Sequence, residues 1–331
     1  MRKLRLKKSA KKQLRNILLS IICISILGGS VLAYKSLQSN KNTKKEEEST
    51  VVTKEEKKEE LASKKGTIDF LAIGNSDLYS GFNPLQLYHE QGITSYSAGA
   101  SMMNMSLTYY MLDEIFTYQK PKVLLLELDN YFETRGADNE IEARDTAVKN
   151  SFPLFRYTEK WEEIKNHDYT KNLGKNSRPM LRGYYYNTTV KGNYSGYRYM
   201  GKSSAKQSDV AYTKKYFPKI MQLAKDNNCQ VFFACFPSKT SWTARKHNTV
   251  AEVAKQYNVP YLDFNVDDYG TGFDWETDSR DGGNHLNHSG ATKMTRFIGK
   301  YLKENYHLVD HRGDANFEDW AEDYKNFIIN L

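Results

Sequence analysis

The 331 residues carry 48 Lys and Arg against 40 Asp and Glu, a net charge of +8. Residues 1–16 hold eight of the basic residues and no acid, so the rest of the chain is close to neutral. The positive balance is therefore a feature of one end and gives no argument for nucleic-acid binding.

That basic end reads as a cytoplasmic tail. Ile17 to Ala33 is an apolar run broken only by Ser20, Ser25, Ser30 and the pair Gly28-Gly29. Seventeen residues lie at the lower limit for crossing a bilayer, where about 20 are usual. With basic residues held inside, residues 17–34 are expected to form a single-pass transmembrane anchor, with everything after Tyr34 outside the cell membrane. A cleaved signal peptide is the rival reading, because Val31-Leu-Ala33 is a tolerable cleavage site. Cys23 lacks lipobox-like neighbours, which argues against a lipoprotein. Residues 35–65 are Lys, Glu, Ser, Thr and Asn with almost nothing apolar, so they are expected to be a disordered, charged stalk.

Residues 66–331 read as the extracytoplasmic domain. Continuous apolar runs predict strands over Ile68–Ile73, Thr94–Ser97, Lys122–Leu128, Gln230–Phe236 and Pro260–Phe264. Amphipathic stretches near 102–118, 210–227, 247–257 and 289–306 predict helices between and after them. This alternation predicts an α/β fold with a parallel sheet covered on both faces. An insertion from about 131 to 209 breaks the rhythm. Cys229 and Cys235 are separated by six residues of extended chain, about 20 Å, so they read as two buried thiols and not a disulfide.

Two segments carry candidate chemistry. Gly74-Asn-Ser-Asp77 follows the first strand, where a small-residue turn lifts a Ser hydroxyl to the carboxyl edge of the sheet. Ser76 is the candidate nucleophile, although Asn75 or Ser76 could equally be a helix cap. Far downstream, Asp281-Gly-Gly-Asn-His-Leu-Asn-His-Ser-Gly290 supplies His285 as general base and Asp281 as the acid that orients it.

Together these blocks resemble the SGNH/GDSL-type hydrolase superfamily, and within it the membrane-tethered bacterial branch that includes DltD-like and AlgJ/AlgX-like cell-surface acylation proteins. The resemblance spans roughly residues 66–305. It implies a three-layer α/β/α, flavodoxin-like domain with a Ser76–His285–Asp281 triad and no cofactor. The family spacing is Asp-x-x-His, and this chain is one residue longer. Either Gly282 and Gly283 absorb the extra residue as a bulge, or the acid is Asp278, or the site works as a dyad. The resemblance also implies an oxyanion hole, for which Gly99 after the second strand and Asn130 after the third are candidates, with Asn104 as fallback. It further implies acyl transfer, such as O-acetylation, on an extracellular polysaccharide or teichoic-type polymer, with a membrane-bound O-acyltransferase as partner. An esterase acting on the same polymer, or a non-catalytic glycan-binding scaffold, are the alternatives.

Three further patterns in the sequence bear on function. Residues 183–199 hold six tyrosines, enough to stack on sugar rings, which makes Tyr185, Tyr194 and Tyr197 candidate substrate contacts. Ser203-Ser-Ala-Lys206 has a serine–lysine spacing without its companion motifs. Asp281, His285 and His288 could form a metal site but lack a clear further ligand, so no metal is expected.

Overall fold

A computed structural model describes residues 68–135, 142–144, 146–147, 181–192 and 196–329. The expected tail (1–16), anchor (17–34) and stalk (35–65) lie outside the described residues, as does much of the 131–209 insertion. Among the described residues no helix is long and apolar enough to cross a membrane.

Among the described residues, five parallel strands form one sheet: β1 (Phe70–Gly74), β2 (Ser95–Gly99), β3 (Val123–Glu127), β4 (Gln230–Cys235) and β5 (Tyr261–Asp263). Their order is β2-β1-β3-β4-β5. The chain leaves β1 toward β2 on one side and returns to β3 on the other, so the order reverses at β1. In open α/β sheets that switch point opens a crevice at the carboxyl ends of the strands.

The side-chain period of two decides which layer each strand residue enters. Phe70, Ala72, Val123, Leu125, Phe232 and Ala234 point into one face. There they meet α1 (Ser76–Gly81), α2 (Pro84–Gln91) and α6 (His288–Asn305) through Leu78, Leu87, Met294, Ile298 and Leu302. Leu71, Ile73, Leu124, Leu126, Phe233 and Cys235 point into the other face. That face is covered by α3 (Met105–Tyr118), α4 (Ala211–Asp226) and α5 (Ala244–Tyr257), through Leu112, Ile115, Ile220 and Val250. Each such side chain contributes about 1.5–3 kcal/mol by leaving water. The three-layer arrangement expected from the alternation is therefore present in the described residues.

Sequence periodicity misses three helices. α1 and α2 have six and eight residues, too short for a periodic face, and are set by their caps. Asn75 accepts the Asp77 N–H, and Asn83 accepts those of Leu85 and Gln86 just before Pro84. α7 (Glu318–Ile329) docks on α2 by Trp320 and Phe327. Arg182 lies 3.9 Å from the Trp320 ring centroid and pairs with both Asp319 and Asp323. Cys229 and Cys235 are free and buried.

Candidate active site

Ser76 stands at the switch point because β1 ends in Gly74 and the chain turns at once into α1. Gly74 is required there by contact: a Cβ would lie 2.5 Å from the Glu127 Cβ and 2.8 Å from Glu127 Oε2. Asn75 fixes the turn on both sides. Its Oδ1 takes the Asp77 N–H at 2.8 Å, and its Nδ2 donates to Asp129 Oδ2 at 2.9 Å. Its own N–H goes to Glu127 Oε2 at 3.3 Å. The Ser76 N–H, lying between these two, has no acceptor among the described residues.

The histidine arrives on a different kind of scaffold. Residues 279–286 form a closed loop, with a single antiparallel bridge between Ser279 and Leu286. Asp281 lies inside it. Its Oδ1 accepts the backbone N–H groups of Asn284 and His285 at 3.0 and 2.9 Å, and its Oδ2 lies 2.5 Å from His285 Nδ1. Gly282 and Gly283 have φ of +85° and +121°, conformations that side-chain-bearing residues rarely adopt. Those two left-handed residues absorb the extra position between acid and histidine.

The imidazole then spans the crevice, with Nε2 2.8 Å from Ser76 Oγ. An ionised Asp281 can only accept, so Nδ1 carries the proton and Nε2 offers its lone pair to the Ser76 hydroxyl. Burial pushes the Asp281 carboxyl up, but the hydrogen bonds from the His285 ring and the two backbone N–H groups outweigh it and hold the carboxyl well below its usual range. The Asn284 amide nitrogen is 3.1 and 3.2 Å from the two ring nitrogens, so it lies over the ring and bonds neither lone pair. The Thr240 hydroxyl holds that amide by its Oδ1.

Beneath Ser76 lies a group of carboxylates that sequence reasoning missed. Asp77 and Glu127 are buried, and Asp129 is ion-paired to Lys246 Nζ at 2.8 Å. Glu127 accepts the N–H groups of Asn75 and Asp129, yet burial, then the neighbouring Asp129, pushes it up to about 8. Burial, then Asp129 and Glu127, likewise holds Asp77 well above the usual carboxylate range. Asp77 Oδ1 lies 3.9 Å from His285 Nε2.

The other expected residues divide sharply. Gly99 ends β2 against the Ser76 turn, where a Cβ would come 3.0 Å from both the Asn75 carbonyl oxygen and Tyr79 Cδ1. Tyr185 is also at the site: its N–H donates to the Tyr79 carbonyl at 2.7 Å and its ring packs edge-on to Tyr79.

Asn130 does not face the crevice. It is fully buried, and its amide donates to Thr108 Oγ1 in the α3 layer at 3.1 Å. Asn104 is also excluded as an oxyanion donor. It caps α3 by accepting the Leu107 N–H at 3.1 Å, and its amide donates to the Arg135 carbonyl. Asp278 is no alternative acid, because its carboxylate is buried against Lys293 Nζ, Ser289 Oγ and the Asp274 N–H, each at 2.7 Å. It pins the loop to α6.

Tyr194 lies outside the described residues, as does the side chain of Tyr197. His288 turns away from His285 and meets the Tyr184 hydroxyl at 3.1 Å, so the Asp281–His285–His288 metal alternative loses a ligand. Lys206 pairs with Glu252 and Ser203 bonds within its own turn, so the serine–lysine spacing assembles no dyad.

No protein-family model and no curated protein matches the chain. Among solved structures it is similar to a G-D-S-L family protein from Desulfitobacterium hafniense, at 13% identity and a TM-score of 0.39, covering 70% of this chain and 98% of that one. It is also similar to a GDSL-like lipase from Bacteroides thetaiotaomicron, at 11% identity and a TM-score of 0.34, covering 71% of this chain and 87% of that one. The two segments whose sequence resembles the SGNH/GDSL-type hydrolases, Gly74–Asp77 and Asp281–Gly290, are the ones that meet in the crevice.

Proposed function

We propose that the protein is an SGNH-type serine enzyme that makes or breaks acyl esters. One observation carries this reading: Ser76 Oγ, His285 Nε2, His285 Nδ1 and Asp281 Oδ2 form a continuous relay with contacts of 2.8 and 2.5 Å. Serine is a weak nucleophile until a base removes its proton.

In the proposed reaction, Ser76 Oγ attacks an ester carbonyl while its proton passes to His285 Nε2. Asp281 holds the resulting imidazolium through Nδ1–H. The carbonyl oxygen becomes an oxyanion, for which the open Ser76 N–H is one donor, with the Gly99 backbone the expected second. Collapse breaks the bond to the leaving oxygen, which takes the proton from His285, and leaves an acyl group on Ser76. An incoming hydroxyl then gives its proton to His285 as its oxygen attacks, which returns Ser76. If that hydroxyl is water, the enzyme is an esterase. If it belongs to a sugar, the enzyme is a transferase.

The apolar run at 17–34 and the charged stretch at 35–65 support a domain tethered outside the cell membrane. On that ground we assign the polymer of the cell envelope, a polysaccharide or teichoic-type glycan, as acyl acceptor or acyl-bearing substrate. A membrane-bound O-acyltransferase would deliver the acyl group for transfer. The test compares the full chain with Ser76→Ala for turnover of phenyl acetate, with and without a glycan acceptor. Ser76-dependent release of acetate supports the enzyme, and acetylated glycan formed in competition with acetate supports the transferase. Turnover that survives Ser76→Ala would move the chemistry off Ser76, and none in the folded wild type would leave a scaffold role instead.

A further inference from the structure

Two arginines among the described residues are not exposed, Arg182 and Arg280. They are treated in opposite ways. Arg182 is clamped by Asp319 and Asp323, as a desolvated cation ordinarily is. Arg280 has no carboxylate within ion-pair distance among the described residues. Its Nη1 donates to Ser80 Oγ at 2.7 Å and to the Leu286 carbonyl at 3.2 Å, and its guanidinium carbon lies 4.6 Å from the Tyr185 ring centroid. These partners orient the group but carry no negative charge. Nε and Nη2 have no acceptor among the described residues.

Its place in the fold gives this meaning. Arg280 immediately precedes Asp281, and its N–H donates to the His285 carbonyl at 3.1 Å. The Ser80 hydroxyl that it grips donates in turn to the Ser76 carbonyl at 2.6 Å. One neutral side chain therefore separates the guanidinium from the nucleophile's backbone, with the Tyr185 ring alongside. Asp281, the nearest charge acting on it, lies outside ion-pair distance and directs its oxygens at the His285 loop. Asp77 and Glu127 are buried beneath Ser76, outside ion-pair distance of the guanidinium. A half-buried guanidinium with a free edge, fixed next to a nucleophile, suits a planar or tetrahedral anion.

We infer that Arg280, with Tyr185 as its stacking wall, is an anionic subsite that selects esters bearing a carboxylate or phosphate close to the acyl linkage. This deepens the reading of Ser76 as an acyl-ester nucleophile and rests on it. The substrate class becomes an acidic glycan or a phosphodiester-linked polymer in preference to a neutral one.

The test measures kcat/KM of the full chain for phenyl acetate, 3-acetoxybenzoate and 3-acetoxyphenyl phosphate, in wild type, Arg280→Gln and Arg280→Lys. Arg280→Gln is expected to lower the anionic-to-neutral ratio about tenfold for at least one anionic ester, and that ester identifies carboxylate or phosphate as the recognised group. Arg280→Lys should keep part of the ratio, because a point charge survives but the planar fork does not. Added salt should erode the ratio in wild type and leave it flat in Arg280→Gln. An equal fall on all three esters would make Arg280 a structural tie and overturn the inference, as would an unchanged ratio. Phenyl acetate turnover that is lost in Ser76→Ala keeps the reading of the site intact in either case. A wild type inactive on all three esters removes that reading and the subsite with it.

Discussion

The two halves of the candidate triad are held by different physics. Ser76 sits on the end of a buried strand, fixed by contacts far apart in sequence: Glu127 against Gly74, Asp129 and Glu127 on Asn75, and Gly99 beside the turn. His285 and Asp281 sit on an eight-residue loop shaped from within by two left-handed glycines and an acid that caps its own turn, and braced from outside by Thr240, Ser238 and Lys191. The first half is inseparable from the core. The second is a loop docked on it by Asp278–Lys293, Arg280–Ser80 and the hydrogen bonds from Thr240 and Ser238 to the Gly283 and Asn284 carbonyls. Damage to the loop should therefore cost activity before stability, and damage to the strand end should cost both.

The largest effects come from removing the relay itself. Ser76→Ala and His285→Ala should each lower kcat/KM for ester turnover by about 10⁴-fold or more, and the double variant little further, because the groups act as a unit. Independent, multiplying losses would break the relay.

The two glycine sites give the next effect and the sharpest contrast. Gly283→Ala strains a φ of +121° and brings a Cβ 3.0 Å from Lys239. It should cost roughly ten- to a hundredfold in turnover, consistent with about 1–3 kcal/mol of local strain, with the melting temperature nearly unchanged. Gly74→Ala drives a Cβ into Glu127 and should lower turnover and melting temperature together. Equal thermal losses in both variants would erase the distinction between loop and strand end.

A smaller effect depends on pH. Glu127 is raised from 4.5 to about 8 in the folded protein. Below 4.5 both states hold the proton; between 4.5 and about 8 the unfolded chain releases it while the folded one keeps it, so stability falls as pH rises through that window. Glu127→Gln removes this loss. Its melting temperature relative to wild type should rise from pH 5 to pH 8, and a difference that stays constant would contradict the buried, protonated assignment.

The smallest effect on chemistry is expected at Asn104 and Asn130. Asn104→Ala deletes the α3 cap, worth about 0.5–2 kcal/mol, and should change stability more than turnover. A selective fall in kcat for Asn130→Ala would restore it as an oxyanion donor.

What could be read from the chain follows the same division. Continuous apolar strands such as Val123–Glu127 announce themselves, and small-residue turns after them mark the crevice, so Ser76 and the 281–290 block stand out. The Asp281 spacing was readable too, since paired glycines signal a bulge. Asn130 was misplaced because its distance along the chain from β3 says nothing of the 3₁₀ turn over Asp129–Phe132, in which its side chain enters the α3 layer. The Asp77–Glu127–Asp129–Lys246 group is invisible in the sequence because no local pattern brings residues from α1, β3 with its following 3₁₀ turn, and α5 together, and a lone Asp or Glu ordinarily means a solvated face. Arg280 was passed over for the same reason: its lack of a carboxylate partner is a fact of tertiary structure.

The most direct measurement is intact mass and peptide mapping of the folded protein after exposure to a fluorophosphonate. A single adduct on Ser76, absent in Ser76→Ala and strongly slowed in His285→Ala, is the expected result. A folded wild type that takes no adduct, or takes it on another residue, would contradict the assignment of Ser76 as an activated nucleophile.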